Sequence, residues 1–234
     1  MPKYMILSSD DEFMQFEWTN LYYDKLGGEK HLYIMPNAEH EMVTAYRRKF
    51  SNLASFVHSI AAGKPFRPNF DYTYDNTTGE LSVKLNEQSA SMVKAVRLIY
   101  AETLSTQRRD FRWLFQSNEN TEPCKLPYIP IPNDLMERKP HLKAAKDLCF
   151  APIIWSGLEI AESEEPGVYK TLPPEPREGH WMGYYVEVEF YGDAPQSGDS
   201  LFPNHFTFTT PGHVWPNTMP FEDCVKEGCW SKWV

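Results

Sequence analysis

Lys3-Tyr4-Met5-Ile6-Leu7-Ser8-Ser9-Asp10-Asp11, answered downstream by His31-Leu32-Tyr33-Ile34-Met35-Pro36-Asn37-Ala38-Glu39-His40, decides how the first part of this chain folds. Each segment opens with an apolar run of the length of a buried parallel strand and closes in polar residues. Between them, Met14 to Leu26 spaces Trp18, Leu21, Tyr22 and Leu26 along one side and meets a stop at Gly27-Gly28, which predicts an amphipathic helix. In a strand-helix-strand unit of this kind the carboxyl ends of the two strands share one edge, so Asp10-Asp11 and His40 emerge side by side, where sites form in open parallel sheets. That placement suits an aspartate orienting the imidazole of a general base. The same residues also suit plainer roles, with Ser9 or Asp10 capping the next helix and His40 standing in a turn.

Ser9-Asp10-Asp11-Glu12-Phe13 and Met35 to His40 resemble the last two catalytic segments of an α/β-hydrolase, and in particular those of the PhoPQ-activated pathogenicity-related proteins. Arg109-Asp110-Phe111-Arg112-Trp113 and the ending from Pro220-Phe221 through Cys224 to Cys229 are similar to the same family. The resemblance implies the chain order nucleophile, acid, histidine, with Asp11 as the acid, Asp10 as its alternative and His40 as the base. No Gly-x-Ser-x-Gly elbow occurs in the sequence; Trp155-Ser156-Gly157 and Gln196-Ser197-Gly198 lack the flanking glycine pattern and lie downstream of the acid. The oxyanion donors of such an enzyme come from the same absent half. The expectation is therefore the C-terminal portion of a longer, hydrolase-like protein, with no nucleophile of its own and no activity alone. For the parent, the resemblance implies an extracellular location and ester or peptide hydrolysis without a cofactor. It equally permits a non-enzymatic signalling or interaction protein that meets a protein receptor on a hydrolase fold.

A formal charge of −9 argues against a nucleic-acid surface or an anionic membrane as partner. The densest basic cluster, Arg47-Arg48-Lys49, falls on a predicted helix and reads as a solvated face. No run reaches the eighteen or so apolar residues that span a bilayer, and Met5-Ile6-Leu7 is too short for the core of a signal peptide.

After His40, the residues Met42, Val43, Tyr46, Phe50, Leu53, Val57 and Ile60 recur at spacings of three and four, one helical stripe expected to pack on the sheet, and Gly63 with Pro65 ends it. From Phe70 the period changes to two. Phe70 to Tyr74, Leu81 to Leu85, Val93 to Tyr100, Asp110 to Phe115, Gly183 to Tyr191 and His205 to Thr210 read as short strands parted by polar turns. The expected architecture is thus α/β plus all-β: a C-terminal remnant of an α/β-hydrolase sheet over residues 1–64, then an immunoglobulin-like antiparallel β-sandwich over 70–234 with a long insertion near 118–180. Glu162 to Pro176 within it reads as an exposed acidic loop. Two parallel strands with two helices would leave Met5, Leu7, Leu32 and Ile34 partly uncovered, a surface for self-association.

The other marked residues are the four cysteines, a glycosylation sequon at Asn76 and an aromatic-histidine group. His180, Trp181, His205, His213 and Trp215 have no metal-ligand spacing and read as packing residues; no metal site is expected. Asn76-Thr77-Thr78 falls at a hairpin tip. Cys224 and Cys229 close a short loop, and Cys124 and Cys149 bracket a proline-rich excursion, so two disulfides are favoured over a four-thiolate zinc site, free buried thiols remaining open. Mass mapping of unreduced, secreted material is expected to recover a Cys224–Cys229 peptide and a Cys124–Cys149 peptide; four free thiols or stoichiometric zinc would defeat the assignment.

Overall fold

The structure is a computed structural model, and it describes residues 1–64, 66–116, 148–151, 153–192 and 205–220. The expected cysteine pairings and Ser197 rest on residues outside these ranges. Strand β1 (Lys3–Ser8) pairs in parallel with β2 (Lys30–Met35), from Lys3 opposite Lys30 to Ser8 opposite Met35. The connection is three successive short turns of helix where one continuous helix was expected: a 3-10 turn at Phe16–Trp18, α1 (Thr19–Tyr22) and a second 3-10 turn at Tyr23–Lys25. Its buried side chains are Phe16, Thr19 and Tyr23, while Trp18, Leu21 and Tyr22 face outward. Phe16 decides that orientation. Its ring occupies the space left by Gly183 and Gly212, where any Cβ would collide with it. The Thr19 hydroxyl, donating to the Phe16 carbonyl and accepting the Gly212 N–H, fixes the turn beside it.

Helix α2 (Tyr46–Ala61) reverses the sequence expectation in the same way. The stripe of Tyr46, Phe50, Leu53, Val57 and Ile60 is exposed, and the buried residues are Ser51, Asn52, Ser55, Phe56 and Ser59. Small side chains let the helix backbone come close to its neighbour, and their hydroxyls are satisfied within the helix, Ser55 on the Ser51 carbonyl and Ser59 on the Phe56 carbonyl. The Asn52 side-chain oxygen accepts the Thr207 N–H at 2.6 Å, so the helix docks through a hydrogen bond to a strand rather than through its apolar face.

The rest of the chain is sheet. β3 (Phe70–Tyr74) and β4 (Leu81–Leu85) form a hairpin with Asn76 exposed at its tip, and β9 (Val168–Thr171) adds to the free edge of β4. The helical turn α3 (Glu87–Ala90), capped by Asn86, leads into β5 (Val93–Glu102). A second sheet runs β11 (His205–Thr209), β10 (Met182–Tyr191), β5, β8 (Ser156–Glu159), with β12 (His213–Trp215) also on β10. β6 (Leu114–Gln116) and β7 (Leu148–Phe150) make a small antiparallel pair. β8 and β9 both fall in the stretch expected to be an irregular insertion, and β9 lies in the expected acidic loop; four-residue strands show too little alternation to be read. The molecule is therefore a mixed helix and sheet structure, with mostly antiparallel sheets and few helices.

β10 has a core on each side. Tyr184, Val186, Val188 and Phe190 pack with Leu81, Val83, Leu98 and the α2 residue Phe56. Tyr185, on the other side, packs with Leu32, Ile34, Phe16, Phe111 and Trp155. Leu32 and Ile34 are fully buried and Met5 and Leu7 are partly buried against the same cluster, so the apolar surface expected to stay open on the parallel strands is covered. Exposed apolar side chains lie instead on the outward faces of α2 and of the helical connection.

Truncating Phe56 to Ala is expected to cost about 3–5 kcal/mol, as for other buried aromatic side chains, whereas Val57→Ser, on the outward face, should stay within about 0.5 kcal/mol. Urea unfolding of the two variants checks both; a reversed ranking would show that the outward stripe is the packed one.

Candidate functional site

The carboxyl ends of β1 and β2 come together as the sequence pattern predicts. Past Ser8 the Ser9 N–H bonds the Met35 carbonyl and the Asp10 N–H bonds the Ala38 carbonyl at 3.2 Å, so pairing continues beyond the strands and carries both polar segments to one edge. The Ser8 hydroxyl donates to the Glu39 carbonyl at 2.7 Å, and the His40 N–H is held by the Glu12 carboxylate at 2.9 Å. Asp11 Oδ2 then lies 2.8 Å from His40 Nδ1. Its other oxygen accepts the N–H groups of Phe13 and Met14, at 2.8 and 3.0 Å. Asp11 thus holds the bend at Phe13 and Met14 as well as the imidazole. The helix cap expected of Ser9 or Asp10 is not formed: the first helical turn, Phe16–Trp18, starts at Gln15 without a side-chain cap.

An ionised carboxylate can only accept, so Nδ1 carries the proton of the neutral ring and Nε2 holds the lone pair. Nε2 has no hydrogen-bond partner among the described residues. The hydrogen bond and charge of Asp11 hold the His40 pKa above its usual 6.5. The ring is half exposed, with the Phe13 ring edge-on at 4.9 Å.

Asp10 stands apart from this pair. It is fully buried, with Oδ2 accepting the Ser9 hydroxyl at 2.6 Å and Oδ1 accepting the Trp155 indole N–H at 3.1 Å. Burial raises its carboxyl from the usual 3.8 to about 7, against the pull of those two donors. No described hydrogen bond joins it to His40.

Trp155 is the member of the site that sequence reading missed. Its main chain clasps the side-chain amide of Asn37, N–H to Oδ1 at 2.8 Å and Nδ2 to the carbonyl at 2.9 Å. Asn37 has φ of 55°, in the left-handed region that asparagine tolerates better than most residues. The bend of the His40 segment is therefore pinned by a residue far along the chain. The available signal was the apolar run ending at Trp155, but nothing local says where such a run docks.

The Arg109 to Trp113 segment packs beside this edge. Asp110 takes the Arg112 guanidinium at 2.9 and 2.6 Å and the Gln15 amide at 3.0 Å, Arg109 pairs with Glu17, and the Trp113 N–H reaches the Asp10 carbonyl. Ser156 is exposed at the start of β8 and is not hydrogen-bonded to His40. His180 bonds the Thr103 carbonyl and Trp181 the Thr218 oxygens, as packing residues do. Among the described residues no group of histidine, cysteine and carboxylate side chains could hold a metal, and no helix is long and apolar enough to cross a membrane.

Comparison with known proteins finds a likeness over the residues of this site. The family model of the PhoPQ-activated pathogenicity-related protein matches residues 1–112, which include both strands, Asp11, His40 and the Arg109–Arg112 residues. Over those residues the chain is similar to the PhoPQ-related family. The autocrine proliferation repressor protein A of Dictyostelium discoideum is 31% identical over 97% of this chain. The chain spans 40% of that relative's length. No solved structure matches it.

Because its folded-state pKa is raised, protonated His40 contributes to stability below about pH 6.5, and that contribution is lost as pH rises through the folded-state value. NMR titration of the imidazole should give a midpoint above 6.5 that falls in Asp11→Asn and holds in Asp10→Asn. An equal fall in both variants would show that Asp10 shares the imidazole.

Proposed function

We propose that this chain is the C-terminal portion of an α/β-hydrolase-like, secreted protein of the PhoPQ-related family, in which Asp11 and His40 are the acid and base of a Ser-Asp-His arrangement whose serine lies outside the chain. The observation that carries the reading is the Asp11–His40 contact at 2.8 Å on the shared edge of two parallel strands. In the whole protein, His40 Nε2 takes the proton of the attacking serine, Asp11 keeps the ring in the tautomer that can do so, and the imidazolium returns the proton to the leaving group of an ester or peptide. Asp10 and Trp155 position the loop and touch no substrate.

Two further observations support a longer parent. The chain spans 40% of its relative, and the Leu53, Val57 and Ile60 face of α2 is exposed, the face that further layers of an α/β domain would cover. The antiparallel sheets that follow are, in this reading, an immunoglobulin-like sandwich, its two faces being β3-β4-β9 and the sheet built on β10.

A second reading is a non-enzymatic extracellular signalling protein on the same fold. The name of the Dictyostelium relative, a proliferation repressor, favours it.

A serine-directed fluorophosphonate probe is expected to leave this chain unlabelled and to label a version extended upstream with the family's remaining segments, labelling being lost in His40→Ala. Failure of the extended protein to label while folded supports the signalling reading. Stoichiometric labelling of the short chain, abolished by His40→Ala, would overturn the proposal that the nucleophile is absent.

A further inference from the structure

A second concave site lies at the opposite end of β2, one six-residue strand, or about 20 Å, away from His40. It is a cavity of about 610 Å³ walled by the end of the helical connection, the start of β2, the β3 hairpin and the β11–β12 turn. Asp24, Glu29 and Asp71 stand in its wall, with Lys30 the single cation among the described lining residues and Arg67 paired to Glu29. Lys30 is engaged on the Tyr23 carbonyl at 2.7 Å and over the Tyr23 ring.

Two histidines line the same cavity, both more than nine-tenths buried. His31 Nε2 lies 3.0 Å from a Glu29 oxygen, and Glu29 is held ionised by Arg67, its pKa pulled down to about 2. A carboxylate cannot donate, so Nε2 carries the ring proton and Nδ1 is an acceptor; Nδ1 is buried and has no donor. His213 Nε2 is buried and unpaired as well. Burial keeps both rings neutral, His213 down to about 4 despite the nearby Asp24. The wall thus presents His31 Nδ1 and the Asp24 and Asp71 carboxylates as acceptors. An unsatisfied buried acceptor costs free energy that a bound donor recovers. The remaining surface is aromatic: the Tyr74 ring stacks on His213 at 3.9 Å, Phe208 on His31 at 4.3 Å, and the Tyr72 hydroxyl bonds both oxygens of Asp24.

A ligand that donates only, carries positive charge and sits well on aromatic faces meets all three conditions. We propose that this cavity is a binding site for an organic ammonium group, with Asp24 as its counter-ion, Asp71 at the mouth and the Tyr74–His213 stack as its floor. Anions are repelled by the Asp24 and Asp71 carboxylates, Glu29 being paired with Arg67. A neutral polyol could satisfy acceptors, but it leaves the charge of Asp24 uncompensated.

Isothermal titration of the full chain at low salt and pH 7 tests this with three probes of equal chain length: 1,5-diaminopentane, 1,5-pentanediol and glutarate. The diamine is expected to bind at one saturable site and the other two not to bind. Asp24→Asn should weaken the diamine about tenfold, consistent with loss of one partly screened charge pair. Asp71→Asn, at an exposed position, should weaken it less and serves as the charge variant if Asp24→Asn does not fold by circular dichroism. Nα-acetyl-lysine N-methylamide separates the sources of the group: binding as tight as the diamine's assigns a protein lysine side chain, and selective binding of the diamine assigns a free amine. Absence of saturable diamine binding, equal binding of the diol, or unchanged affinity in a folded charge variant would overturn the proposal.

Discussion

A strand buried along both faces must be covered on both faces, and β10 is that strand, one face apolar and the other carrying Tyr185 with Glu187 and Glu189 paired to Arg97. Its alternate residues, Tyr184, Val186, Val188 and Phe190, require the hairpin sheet and α2 on one side, while Tyr185 requires the parallel strands, Phe16 and Trp155 on the other. Burial at about 25 cal/mol per Å² makes such a strand strongly favourable when covered and a liability when not. The β1–β2 pair, too small to be stable by itself, is held in place by this demand. The Asp11–His40 edge is thus built on a two-stranded unit whose rigidity comes from a sheet formed much later in the chain.

The same constraint explains which features were legible in the sequence. β1 and β2, the edge they share and the meeting of Asp11 with His40 follow from short apolar runs ending in polar residues, a local signal. The long strands β5 and β10 are legible over most of their length, as Val93–Tyr100 and the alternating Gly183–Tyr191. The faces of α2 and of the helical connection were misread because the apolar stripe was taken to be the inward one. In both elements the inward face was selected by shape instead: serines that permit close approach to β11, and one phenylalanine that fits over two glycines. Neither choice leaves a hydrophobic period. β8 and β9 are too short to alternate, and Trp155 could be recognised as buried but not as a neighbour of Asp10, because pairing across 145 residues has no local mark.

Asp10 and Asp11 show how adjacent carboxylates diverge by environment. One is buried with two donors and is pushed toward the neutral form; the other holds the Phe13 and Met14 N–H groups and a solvent-facing partner. Two like charges side by side at a strand end would otherwise compete for one imidazole. Turning Asp10 inward to Trp155 removes the competitor and leaves Asp11 as the partner of His40.

The clasp between Asn37 and Trp155 has a mechanical consequence. Asn37 lies in the loop that bears His40, and Trp155 leads directly into β8, so neither segment can shift without breaking two amide hydrogen bonds and the indole bond to Asp10. Their conformational freedom is shared. By thermodynamic reciprocity, where binding at one of these two segments is coupled to binding at the other, each changes the other's affinity by the same factor.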